Sequence, residues 1–129
     1  MRKIKFKAKR LDNQEWVYGY FYEENDNTYI IEDCQKESML NRNNAYKVNP
    51  DTVCQFTGCV DKNGKEIYEG DILRCSISTF AVEWPENLGA FTLRPIKGRI
   101  KFDDIPLGVI QKYIQFGIID NINDKQKGG

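Results

Sequence analysis

The sequence predicts a mainly β protein of two parts, an N-terminal β-meander and a small C-terminal barrel. Three observations lead there. Apolar residues alternate or run in short stretches punctuated by turn signals, and few windows sustain a three-to-four-residue repeat. Strand-like segments recur at the short spacing of small barrels and sandwiches. The length of 129 residues fits one ordinary domain or two subdomains, enough to bury roughly two thirds of the unfolded surface without disulfides or a structural metal.

The first segment, Lys3 to Lys9, reads as a strand with Ile4, Phe6 and Ala8 on one face and Lys3, Lys5, Lys7 and Lys9 on the other. Leu11 to Glu15 turns the chain into a second strand, Trp16 to Tyr22, and polar Glu23 to Asn27 leads into a third, Thr28 to Glu32. A polar loop, 34–44, closes the first part, 1–47. The second part, 48–119, follows a short strand at Ala45 to Val48 and continues with Val53 to Thr57 beyond Asn49-Pro50-Asp51-Thr52. The pair Asn63-Gly64 predicts a type I′ hairpin turn, which needs positive φ at both central residues. Strands are then expected at Ile72 to Ile77, Phe80 to Trp84, Ala90 to Arg94, Arg99 to Phe102 and Val109 to Ile119, before a polar tail, 120–129.

Composition narrows the chemistry. Nineteen basic residues balance nineteen acidic ones, so no global field marks a nucleic-acid or membrane binder. Histidine is absent, which removes the usual general base, the commonest metal ligand and the Ser/His and Cys/His nucleophile arrangements. Cys34, Cys54, Cys59 and Cys75 contain no C-x-x-C pair and match no common zinc spacing, so the expectation is thiols in a reducing cytoplasm, with no metal and no cofactor. The basic amino terminus has no apolar run behind it, and no window approaches the roughly 20 apolar residues of a membrane span. The expected location is therefore cytoplasmic, without membrane contact.

Three clusters are candidates for function. The acidic run Asp61 to Asp71 fails as an EF-hand on register, because its glycine, Gly64, stands fourth where that loop needs it sixth, and Ile72 stands twelfth where it needs a glutamate. Glu66, Glu69 and Asp71 are the only basis for a carboxylate-based hydrolase, and one short hairpin offers no second wall for a substrate. Turn chemistry accounts for the run more simply, with Asn63 and Gly64 as the central pair of a turn, Gly70 supplying positive φ and Asp71 accepting backbone N–H bonds. A glycine-aspartate pair before an apolar strand, as in Gly70-Asp71-Ile72, fits the strand openings of SH3-like barrels, which gives the C-terminal barrel that form. The lysines at 3, 5, 7 and 9 could follow a phosphate backbone, although a charged strand face also guards against edge-to-edge pairing. Trp16, Tyr18, Tyr20 and Tyr22 share one face while Val17, Gly19 and Phe21 share the other, so both faces of this strand want cover. Self-association through the aromatic row is the expected remedy.

Six segments together carry a resemblance: Arg2 to Arg10, Asp12-Asn13, Glu15 to Tyr20, Val48-Asn49-Pro50-Asp51-Thr52-Val53, Gln55-Phe56-Thr57-Gly58, and Asp61 to Ile72. The chain resembles the YopX-like proteins of phages and prophages over 1–22 and 48–74. Phe116 to Asn121 is similar to the family's closing strand, without the proline common just beyond it. The resemblance implies an all-β, two-part homo-oligomer with no established activity and no assigned catalytic residues. The function expected is a non-enzymatic, self-assembling phage or prophage accessory protein in the bacterial host cell, binding a phage or host protein. The alternatives are a small nucleic-acid-binding module on the basic strand and the carboxylate hydrolase.

Overall fold

The computed structural model describes residues 4–32, 45–100 and 104–124. Lys3, Cys34, the expected loop 34–44 and the tail beyond 124 lie outside the described residues. The chain divides into two compact units, Met1–Gln55 and Phe56–Gly129.

In the first unit β1 (Phe6–Lys9), β2 (Trp16–Glu24), β3 (Asn27–Glu32) and β4 (Ala45–Val48) form an antiparallel meander in which each strand pairs with its sequence neighbour. The β2–β3 connection is a two-residue loop with φ of 53° at Asn25 and 65° at Asp26, between the paired residues Glu24 and Asn27. Here, rather than at Asn63-Gly64, the chain makes a hairpin turn with both central φ positive. The meander curls until its outer strands meet. Arg10 bridges to Val48, while the Leu11 and Asn49 amides donate to the Lys47 and Lys9 carbonyls. Ala8, Val17, Ile30 and Val48 are buried together, with Phe6, Tyr46 and Val53 packed against them. A 3-10 turn at Pro50–Thr52 is held by the Asn49 side chain, which accepts from the Asp51 amide at 3.0 Å. Thr52 Oγ1 in turn accepts from the Lys9 amide at 2.9 Å. These bonds, and the pairing of Lys7 with Cys54 and of Phe6 with Gln55, attach 49–55 to the first unit, so the division falls after the proline turn rather than before it.

In the second unit the later part of β5 (Cys54–Val60) pairs with β6 (Glu66–Tyr68). The remaining elements are β7 (Asp71–Arg74), β8 (Ser78–Glu83), β9 (Thr92–Gly98), β10 (Ile105–Pro106), a one-turn helix α1 (Leu107–Ile110) and β11 (Gly117–Asn121). Five of them form an open antiparallel sheet in the order β10-β9-β8-β7-β11. The described residues thus form no closed barrel, which corrects the expected closure, and mainly β is the fold class the structure carries. The core holds Ile67, Leu73, Phe80, Val82, Leu93, Leu107 and Phe116, with Phe80 and Phe116 edge to face at 5.8 Å.

A second correction concerns the expected strand Val109 to Ile119. Leu107, Ile110 and Ile114 recur at helical spacing and turn toward the core, so the chain coils from Leu107 and becomes extended only at Gly117. Of the expected strand Arg99 to Phe102, residues 99 and 100 lie beyond the end of β9, and residues 101 and 102 lie outside the described residues.

Candidate functional site

On β2 alternation places Trp16, Tyr18, Tyr20 and Tyr22 on the face opposite the buried cluster. The row is not uniform. Trp16 is half-buried, with Lys7 Nζ 4.3 Å and Lys9 Nζ 5.3 Å from its ring centroid. Tyr22 is stacked on its cross-strand partner Tyr29 at 5.0 Å. Tyr18 and Tyr20, between them, are 47% and 48% exposed. Ile31, paired with Tyr20, and Tyr29 extend the apolar surface onto β3.

The same register explains the lysines. Lys7 pairs with Tyr18 and Lys9 with Trp16, so both ammonium groups meet an aromatic face whose quadrupole attracts them. Lys7 is 8% and Lys9 5% exposed, so two members of the expected basic row are withdrawn from the surface a phosphate chain would follow. Only Lys5 of the remaining two is described, and it is half-buried.

The acidic run is built into turns. Gly64 alone in its turn has positive φ, 83°, and its amide donates to the Asp61 carbonyl at 3.0 Å. With Asn63 at ordinary φ, this loop is not the expected type I′ turn; a glycine bulge after an ordinary turn describes it. Asp61 Oδ1 accepts from the Asn63 and Lys65 amides at 2.8 and 2.9 Å, and Oδ2 from the Ile118 amide at 3.1 Å. Asp71 Oδ2 accepts from the Tyr68 amide at 2.8 Å, and Oδ1 from Asn121 Nδ2 at 2.9 Å. Gly70, with φ of 88°, donates its amide to the Val82 carbonyl and accepts from the Ile122 amide. Among the described residues, no group of three or more Cys, Asp or Glu is arranged to hold a metal ion. Cys54, Cys59 and Cys75 are thiols, and burial pushes the Cys59 thiol up.

Asp61 yields a pH prediction. Burial by itself raises its pKa, but the Ile118, Lys65 and Asn63 amides and the Lys65 charge outweigh that and hold the carboxyl below its ordinary value. A depressed folded pKa stabilises the protein above the unfolded value, about 4, and that stabilisation is lost as pH falls through the folded value. Asp61→Asn should therefore be less stable than the native chain at neutral pH, with the difference shrinking below about pH 4. Urea midpoints measured at neutral and acid pH check this; a difference that stays constant throughout contradicts it.

One grouping escaped the sequence reading. Lys62, Arg74 and Tyr113 line a common cleft in the second unit. They lie on a turn, a strand end and the coil after α1, so no local spacing joins them; the pairing of β7 with β11 does.

No protein with a curated description matches the chain. Among the described residues no helix is long and apolar enough to cross a membrane. The family model described as YopX protein matches residues 5–123, most of the chain and both of its units, and the protein therefore belongs to the YopX family.

Proposed function

We propose that this is a non-enzymatic, self-assembling phage or prophage accessory protein of the bacterial cytoplasm that binds a protein partner, and that copies associate through the aromatic face of β2. The observation that carries this reading is the pair Tyr18 and Tyr20, each about half exposed, flanked by Trp16 and the Tyr22–Tyr29 stack. Such a strip joins apolar ring surface to polar hydroxyl tips, the composition favoured at the centre of protein interfaces. A symmetric partner presents the same strip and covers it with one self-complementary contact. The non-enzymatic part is supported by Asp61 and Asp71, whose oxygens serve backbone and amide donors, and by the absence of histidine from the sequence.

Light scattering during size exclusion at micromolar concentration tests the assembly. The expected mass is a multiple of the monomer, falling to the monomer in Tyr18→Lys/Tyr20→Lys with an unchanged circular dichroism spectrum. A monomeric native chain overturns the proposal. An oligomer that persists in the double variant rejects this face.

A further inference from the structure

Several cations of the second unit lie at one end of its sheet. Arg74 ends β7, Lys97 lies opposite Thr79 at the start of β8, and the Arg99 amide donates to the Ile77 carbonyl, so these cations gather around the β7–β8 turn. Glu83 and Glu86 belong to the other end of β8 and the residues after it, and there Glu83 already pairs with Arg94 at 2.6 Å. At the basic end lies a cleft of about 630 Å³ lined by Lys62, Arg74, Ser76, Ile77, Tyr113 and Gln115, with no carboxylate among its described lining residues.

Two details make this more than a scatter of surface cations. Arg74 pairs across the sheet with Gly117, and a Cβ at Gly117 would stand only 3.3 Å from Lys62 Cε. The missing side chain thus lets the Lys62 stem lie across β11 beside the Arg74 position, bringing two like charges to one cleft. Neither side chain has an ion pair or hydrogen bond among the described residues. Two cations on one cleft wall with no carboxylate among its described lining residues suit a bound anion. Tyr113, on the same cleft, is 80% exposed, an unusual position for a large ring and one that leaves its face open.

We propose that this cleft binds a nucleotide, with Lys62 and Arg74 on the phosphate and the Tyr113 ring stacked on the base. Arginine suits planar recognition of phosphate oxygens, lysine supplies a mobile point charge, and an aromatic ring accepts any base face. The nucleotide is either free or part of a single strand; both present the same phosphate and base. The site uses residues of the second unit only, so its test is independent of the assembly test.

Titration calorimetry with pyrophosphate, ADP and a short 5′-phosphorylated oligothymidylate tests it. ADP should bind roughly tenfold or more tightly than pyrophosphate, because only ADP adds a base to stack. Tyr113→Ala should remove that advantage and leave pyrophosphate binding unchanged. Lys62→Ala/Arg74→Ala should weaken all three probes about tenfold or more, at an unchanged melting temperature. An oligonucleotide bound tenfold more tightly than ADP identifies a strand as the source, and equal or weaker binding identifies the free nucleotide. The proposal is overturned if ADP binds no more tightly than pyrophosphate, if no probe binds at millimolar concentration, or if the folded double variant binds like the native chain.

Discussion

Gly98→Val should destabilise the protein by about 3–5 kcal/mol, the largest loss expected from any single substitution considered for this chain. Gly98 ends β9 with φ of 115°, where a β-branched residue is strained before any contact is made. A Cβ there would also fall inside contact distance of the Ile77 carbonyl oxygen and Ser78 Cα, and 2.6 Å from Ser78 Oγ. The first two are backbone atoms, one at the end of the β7–β8 connection and one in the first residue of β8, so no side-chain rotation relieves them. Ser78 Oγ is itself committed, accepting from the Ile100 amide at 2.7 Å. Gly64→Val provides the comparison, because its Cβ would meet nothing within 4 Å and only its φ of 83° is unfavourable, a cost of about 1–2 kcal/mol. Chemical denaturation measures both. Equal losses for the two variants would mean that the chain does not approach Gly98 so closely.

Asp71→Ala should cost about 2–4 kcal/mol, the second largest effect. The carboxylate is buried and joins two segments far apart in sequence, taking the Tyr68 amide on one oxygen and Asn121 Nδ2 on the other. Removing it strands both donors in a region with little water to replace it. Asp71→Asn retains one acceptor oxygen of the two and should fall between the native protein and the alanine variant in the same denaturation experiment. An alanine variant as stable as the native chain would show that these two bonds contribute nothing net. A turnover found in an activity screen and lost in an Asp71→Asn variant of native-like fold would instead favour the carboxylate hydrolase over the proposed non-enzymatic role.

The meander strands were legible from the sequence, since short aromatic and β-branched runs between polar turn segments do not depend on distant contacts: β2, β3 and β4 lie close to where Trp16 to Tyr22, Thr28 to Glu32 and Ala45 to Val48 placed them. The turns were read less well. Asn63-Gly64 carries the stronger hairpin signal, yet positive φ at both central positions occurs at Asn25-Asp26, where Glu24 and Asn27 pair directly across the loop. At Asn63 the Asp61 carboxylate collects nearby amides and favours a wider loop with one left-handed residue. The stretch after Pro106 was misread because Leu107, Ile110 and Ile114 lie within a run apolar enough to pass for a buried strand. For the aromatic row, alternation gave the face but not its division, because Lys7 and Lys9 reach Trp16 only once β1 lies beside β2. The Lys62–Arg74–Tyr113 cleft was illegible for a related reason: its members meet through strand pairing, which no sequence spacing encodes.

The pairing of Asp71 with Asn121 sets an order of events during synthesis. In the meander each strand finds a partner within a short stretch of chain, so little loop entropy opposes its closure. β7 must wait for β11, because the Asp71–Asn121 contact closes a loop of 50 residues. As the chain leaves the ribosome, the first unit can therefore collapse while the second still has an unpaired edge at β7, exposed until nearly the last strand emerges. That interval is when a chaperone would find the protein most open to capture, and when two nascent chains held close together could exchange their closing strands.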